Sequence, residues 1–129
     1  MTRMEYCRSL RERKDVHFNC FQSVTLPFAK DLGMDEDKLY ALGAHFGSGV
    51  RHGSVCGAFS GAMMVLGGLG CDEKTAGELL RNFMQRHGST ACAQLLKDSL
   101  QRGEVKKDHC DGLVFEMVEA VEAVLTAQQ

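Results

Sequence analysis

Apolar positions recur along this chain at spacings of three and four, the period of helices that bury one face. From His17 to Gly33 the series Cys20, Phe21, Val24, Phe28 and Leu32 keeps that spacing, with Asn19 as N-cap and Gly33 as the stop. Pro27 should bend this helix, because it removes a backbone donor. A second helix is predicted after Met34, its first turn holding Asp35, Glu36 and Asp37 where acids complement the dipole, and Gly47-Ser48-Gly49 ends it. Ser54 to Leu69 contains no charged residue. At 1.5 Å per residue this stretch would be about 24 Å long, and it is predicted to be the central helix. Gly53, Gly57 and Gly61 fall every four residues there, a smooth stripe on which a neighbouring backbone can pack closely. A fourth helix follows Asp72, with Ala76, Leu79, Leu80 and Phe83 inward, and ends at Gly88. Ser89 or Thr90 caps a fifth, which carries Cys92, Leu95, Leu96 and Leu100 and stops at Gly103. The last has the clearest period: Cys110, Leu113, Val114, Met117, Val118, Val121, Val124 and Leu125 form one stripe opposite Glu116, Glu119 and Glu122.

Composition narrows the class. The 129 residues are 44% apolar, enough for one core, and one Pro, no Trp and no Ile favour helix over sheet. The prediction is an all-α, single-domain bundle of five to six helices around a central Gly-rich apolar helix. That helix falls short of the roughly 20 residues a bilayer requires, so it reads as buried in protein, not in membrane. Fifteen Lys and Arg against seventeen Asp and Glu give a net charge of −2, which provides no basic field for nucleic acid or an anionic membrane surface. Residues 1–14, within a leader taken as 1–16, differ: Arg3, Arg8, Arg11, Arg13 and Lys14 outnumber Glu5 and Glu12, with only Met4, Cys7 and Leu10 as an apolar face. This basic leader is expected to be a solvated helix or a frayed arm preceding a helical domain over 17–129. The start of the chain lacks a signal peptide's apolar core, so a cytoplasmic, reducing location is expected and a framework of structural disulfides is not.

Six cysteines therefore need another explanation. Cys20 follows Asn19, and Cys56, Cys92 and Cys110 each stand two residues after Ser54, Thr90 and Asp108, so each is predicted in the first turn of a helix. Unpaired N–H groups there stabilise a thiolate, lowering a cysteine pKa from about 8.5 toward about 3.5–7.5 in reactive cases. Each is also in phase with its helix's apolar stripe, which predicts a shared interior pocket. Cys56, flanked by glycines that would let a partner approach, is the expected nucleophile. Cys71 lies at the far end of the central helix, about 22 Å from Cys56 by helical rise, and Cys7 lies in the leader, so both are left out of the constellation. Among His17, His52, His87 and His109, each shortly before one of these cysteines, one or two are candidate bases or ligands; Arg51 and His52 lend positive charge near Cys56. No C-x-x-C occurs, which argues against thioredoxin-like exchange between near neighbours and against a zinc knuckle; no C-x-x-C-H supports haem attachment.

The blocks Asn19-Cys20-Phe21-Gln22-Ser23-Val24, Phe46-Gly47-Ser48-Gly49 and Gly53-Ser54-Val55-Cys56-Gly57-Ala58-Phe59-Ser60-Gly61, followed by Cys92 and Cys110, resemble the C-GCAxxG-C-C proteins, described as redox-active. The resemblance runs from about His17 to about Val121 and implies a small helical domain whose four family cysteines fall on Cys20, Cys56, Cys92 and Cys110. One departure is visible: the central block reads Cys-Gly-Ala-x-x-Gly, its first two residues in the opposite order to the family's name. The chain is also similar to part of the split-Soret cytochromes, where an iron–sulfur cluster accompanies haem.

Three functions follow as expectations. The first is thiol/disulfide electron transfer through Cys20, Cys56, Cys92 and Cys110, with a redox protein or a small thiol as partner. The second is a four-cysteine iron–sulfur or zinc site on the same residues. The third is a helical, self-associating interaction protein whose cysteines only pack, as free cysteine often does.

Overall fold

The computed structural model describes residues 1–128 and is all-helical. Helix α1 (Arg3–Glu12) opens on a reciprocal cap: the Thr2 hydroxyl accepts from the Glu5 N–H at 3.0 Å, and the Glu5 carboxylate accepts from the Thr2 N–H at 2.8 Å. After it come α2 (Cys20–Thr25), a tight 3-10 turn at Leu26–Phe28 and α3 (Ala29–Leu32). Pro27 breaks the predicted helix here, and Gly33, at φ +65°, ends α3 in the left-handed conformation that glycine adopts without a Cβ penalty. Helix α4 (Glu36–Leu42) is capped by Asp35. The remaining helices are α5 (Gly57–Gly68), α6 (Glu73–His87), α7 (Cys92–Gln101) and α8 (Lys106–Ala127). Eight helices replace the five to six expected, because Pro27 divides one and the leader folds into another.

The apolar α5 is indeed central, held between α2 and α8. Its glycine stripe faces α2: a Cβ on Gly57 would lie 2.9 Å from the Phe46 carbonyl oxygen and 3.2 Å from the Phe21 nitrogen, and one on Gly61 3.2 Å from the Phe21 oxygen. Gly53 is not part of that stripe, since it lies in a turn and faces Ala93. Val24, Phe28, Ala58, Ala62, Val65, Val114, Val118 and Val121 are sealed from solvent between the three helices. Asp72 and Gly88 bound α6 as predicted, and Phe83 packs on Phe59 with ring centroids 5.0 Å apart.

The leader is not a solvated arm. Helix α1 packs along α8 and against the Leu26–Phe28 turn, burying Cys7 at 0% exposure and Leu10 at 4%. Arg3 joins Asp31 at 2.8 Å and Glu122 at 3.3 Å, tying α1 to α3 and α8. Arg11 and Arg13 likewise pair with Asp111 and Asp15, and Arg8 lies over the Phe115 ring, contacts that composition alone does not reveal. Among the described residues, no helix is long and apolar enough to cross a membrane.

Candidate functional site

Four cysteines reach one cavity from four elements. Cys20 is the first residue of α2, fixed by a cap in which Asn19 Oδ1 accepts from the Gln22 N–H at 2.8 Å and Gln22 Oε1 accepts from the Asn19 N–H at 2.9 Å. Asn19 Nδ2 also donates to the Gly43 carbonyl at 2.8 Å, and Gln22 Nε2 to that of Tyr40 at 2.8 Å, so the segment after α4 is fastened to the start of α2. Cys56 is itself the N-cap of α5. Cys92 opens α7 without a capping side chain. The strands of chain before these two helices are clasped together: Cys56 N–H donates to Thr90 O at 2.8 Å and Cys92 N–H to Ser54 O at 2.6 Å, around an antiparallel bridge between Val55 and Ala91. Ser54 and Thr90, expected as caps, thus serve through their backbone carbonyls instead. Cys110 sits in the second turn of α8, which begins at Lys106 after Val105; Asp108 is inside the helix and is not its cap.

Cys20, Cys56, Cys92 and Cys110 all line a cavity of about 750 Å³, floored by Leu95 and Leu113. Their electrostatics are unequal. A hydrogen bond with Cys110, reinforced by burial, pushes the Cys20 thiol well above its ordinary range, while Arg11 works against that rise. The same hydrogen bond holds Cys110 down to about 6 against the cost of burial, with Arg11 and Lys106 adding to the effect and Asp111 opposing it. Of the two, Cys110 is the sulfur whose surroundings favour the thiolate. Burial raises Cys56 even though the Ala58 and Phe59 N–H groups favour its charged form, and burial raises Cys92 as well. Burial thus favours the thiol form of Cys56, the expected nucleophile, while the surroundings of Cys110 favour its thiolate.

Arg11 is the site residue that sequence reasoning missed. Its guanidinium, 11% exposed, donates to Asp111 Oδ1 at 2.7 Å, the Phe18 carbonyl at 2.9 Å and the Ser23 hydroxyl at 3.3 Å. Lys107 donates to the other Asp111 oxygen at 2.6 Å. Burial alone would raise the Asp111 carboxyl, but these two cations outweigh it and hold it below the usual carboxylate range. The available signal was the i, i+3, i+4 face of Cys7, Leu10 and Arg11 on α1, two of them buried.

Residues 18–124 match a family model described as "Putative redox-active protein (C_GCAxxG_C_C)". The chain belongs to the C-GCAxxG-C-C family. No curated protein and no solved structure matches it. In the central block a Cβ at position 57 would meet the Phe46 carbonyl oxygen at 2.9 Å, and the cysteine stands at 56, the N-cap of α5, on the cavity wall.

The other cysteines of this C-GCAxxG-C-C protein lie apart. Cys7 is a core residue whose thiol burial pushes up to about 12, and Cys71 accepts a hydrogen bond from Gln128 Nε2 at 3.4 Å on the far side of α5. Of the four candidate histidines, His17 and His109 line the cavity. His52 is exposed in the turn before α5, and His87 is turned to the Glu116 carboxylate at 2.9 Å. Among the described residues, no group of three or more His, Cys, Asp or Glu side chains is arranged to hold a metal ion. As placed, the four cysteines do not close on a single ion, as a zinc site with ligands at about 2.3 Å requires.

The cavity's rim is a strained segment. Ser48, Val50 and Arg51 have φ of 53°, 56° and 59°, and Gly49 and Gly53 are also positive, so the Gly49–Gly53 turn winds left-handed. For residues with a Cβ this costs roughly 1–2 kcal/mol each. Gly49 is required at its position, because a Cβ there would lie 2.4 Å from the Ser54 nitrogen and 2.8 Å from the Cys92 Cβ.

Proposed function

We propose that this protein carries out dithiol–disulfide exchange, with Cys110 as nucleophile and Cys20 as resolving cysteine. The hydrogen-bonded Cys20–Cys110 pair on the cavity wall supports this reading above all else. The Cys110 thiolate attacks one sulfur of a disulfide, forming a mixed disulfide and releasing one thiolate. Cys20 then loses its proton to the released thiolate and attacks the Cys110 sulfur. The products are a Cys20–Cys110 disulfide and the second thiolate, so two electrons pass from the protein to the substrate. Cys56 and Cys92 keep their protons on the same cavity, where they supply a second pair of thiols for exchange with the new disulfide.

Oxidising the reduced protein with one equivalent of a small disulfide, then blocking free thiols and mapping linked peptides by mass spectrometry, tests this. The expected product joins Cys20 to Cys110, and reductant restores both thiols. Six freely titrating thiols after oxidation would overturn the proposal. So would iron or zinc bound stoichiometrically to anaerobically purified protein through Cys20 and Cys110.

A further inference from the structure

Apart from the Cys110 sulfur, every charged side chain that lines the cavity is cationic: Arg11, Arg51, Lys106 and Lys107, with no Asp or Glu among them. The chain as a whole is net −2, so this sign is local. Arg11 and Lys107 are already matched by Asp111. Arg51 and Lys106 have no carboxylate within 4.0 Å among the described residues. They come from different elements, Lys106 from the first position of α8 and Arg51 from the left-handed turn. The Arg51 Nε donates to His45 Nδ1 at 2.9 Å, a partner that orients the guanidinium and is not a carboxylate. The turn holds Arg51 in a backbone conformation that costs free energy, which is how a functional side chain is often positioned. The same cavity is lined by the apolar Leu95 and Leu113 and by the four cysteines.

We infer that the cavity accepts a low-molecular-weight disulfide bearing negative charge, its anionic groups held by Arg51 and Lys106 and its sulfurs presented to Cys110. This rests on the exchange reaction proposed above and assigns its substrate class. The balance is unchanged: one substrate disulfide becomes two thiols as Cys20 and Cys110 become one disulfide. A cationic or neutral disulfide gains nothing from the two unmatched charges, and a folded protein partner would have to insert its disulfide past the Gly49–Gly53 rim.

The reduced full-length protein is mixed in stopped flow with three small disulfides: that of mercaptoethanesulfonate, which is a dianion, hydroxyethyl disulfide, which is neutral, and cystamine, which is a dication. Each rate constant is divided by that of free dithiothreitol with the same reagent, which removes intrinsic reactivity. The expected order is anionic, neutral, cationic, with the anion favoured at least about tenfold at low ionic strength and less so in high salt. In Arg51→Gln, and independently in Lys106→Gln, the anionic-to-neutral ratio falls toward one. Equal normalised rates, a cationic preference, or a ratio unchanged in both variants would overturn the assignment. If hydroxyethyl disulfide still closes Cys20–Cys110 in that case, the exchange reaction stands and only the substrate class is wrong. If none of the three oxidises the protein, both readings fall.

Discussion

At the level of single residues, the choice between two adjacent sulfurs is made by their surroundings and not by their helix positions. Cys20 occupies the first turn of α2, where the dipole favours a thiolate, yet it keeps the proton because it is more deeply buried and donates to Cys110. Cys110, a turn further into its helix, has Lys106 four residues before it and Arg11 across the cavity. The sign of the resulting pH dependence is definite. With a pKa of about 6, Cys110 loses nucleophilicity as pH falls through that value and gains little above neutrality. At pH 7 a group of this kind is about 90% thiolate, against roughly 3% for a thiol at about 8.5. Alkylation by iodoacetamide, resolved by peptide mass spectrometry across pH, is expected to give Cys110 a midpoint near 6 and Cys20 the slowest labelling of the four cavity cysteines. Cys20→Ala removes the hydrogen bond that is the largest contribution and should move the Cys110 midpoint upward; an unmoved midpoint would refute the pairing.

At the level of elements, the site depends on how tightly α2 lies on α5. The Gly57 position has the Phe46 carbonyl oxygen where a Cβ would go, and backbone does not yield easily, so Gly57→Ala should cost about 1–3 kcal/mol in a urea melt. Asn19→Ala should cost about 1–2 kcal/mol for the lost cap. It should also raise the Cys110 midpoint, because the same cap fixes Cys20. Asn19, Asp72, Gly33 and Gly88 were legible in the sequence because capping is local chemistry between neighbours in the chain, whereas Asp35, read as part of the first turn of α4, is its cap. Ser54 and Thr90 misled for a tertiary reason: their carbonyls are taken by Cys92 and Cys56 across the Val55–Ala91 bridge, and α5 and α7 begin only after that clasp. The left-handed turn at Ser48–Arg51 was hidden for a similar reason, since Gly49 and Gly53 suggest a bend but nothing local asks Val50 or Arg51 to leave the right-handed region.

At the level of the whole molecule, the cavity is closed by the segment that composition marks as least structured. Helix α1 buries Cys7 and Leu10 against the body of the protein, and Arg11, one residue on, carries the cation that faces both Cys20 and Cys110. Stability and reactivity are therefore joined through one short helix. Burying a leucine side chain contributes about 1.5–3 kcal/mol, and a domain of this size has about 5–15 kcal/mol in all. Removing residues 1–16 should therefore lower the urea midpoint clearly, with a broader transition. If residues 17–129 instead unfold as the full chain does, α1 is only laid on the surface. The truncation alone cannot separate packing from charge, and Arg11→Gln can. That variant leaves Cys7 and Leu10 in place but removes the cation beside Asp111 and the two sulfurs. Its Cys110 midpoint should rise above 6, as Asp111, no longer held by Arg11, opposes the thiolate from close by. Restoring a positive charge with Arg11→Lys should recover part of that shift, whereas a role for Arg11 in packing alone would leave the Gln and Lys variants with the same pH profile.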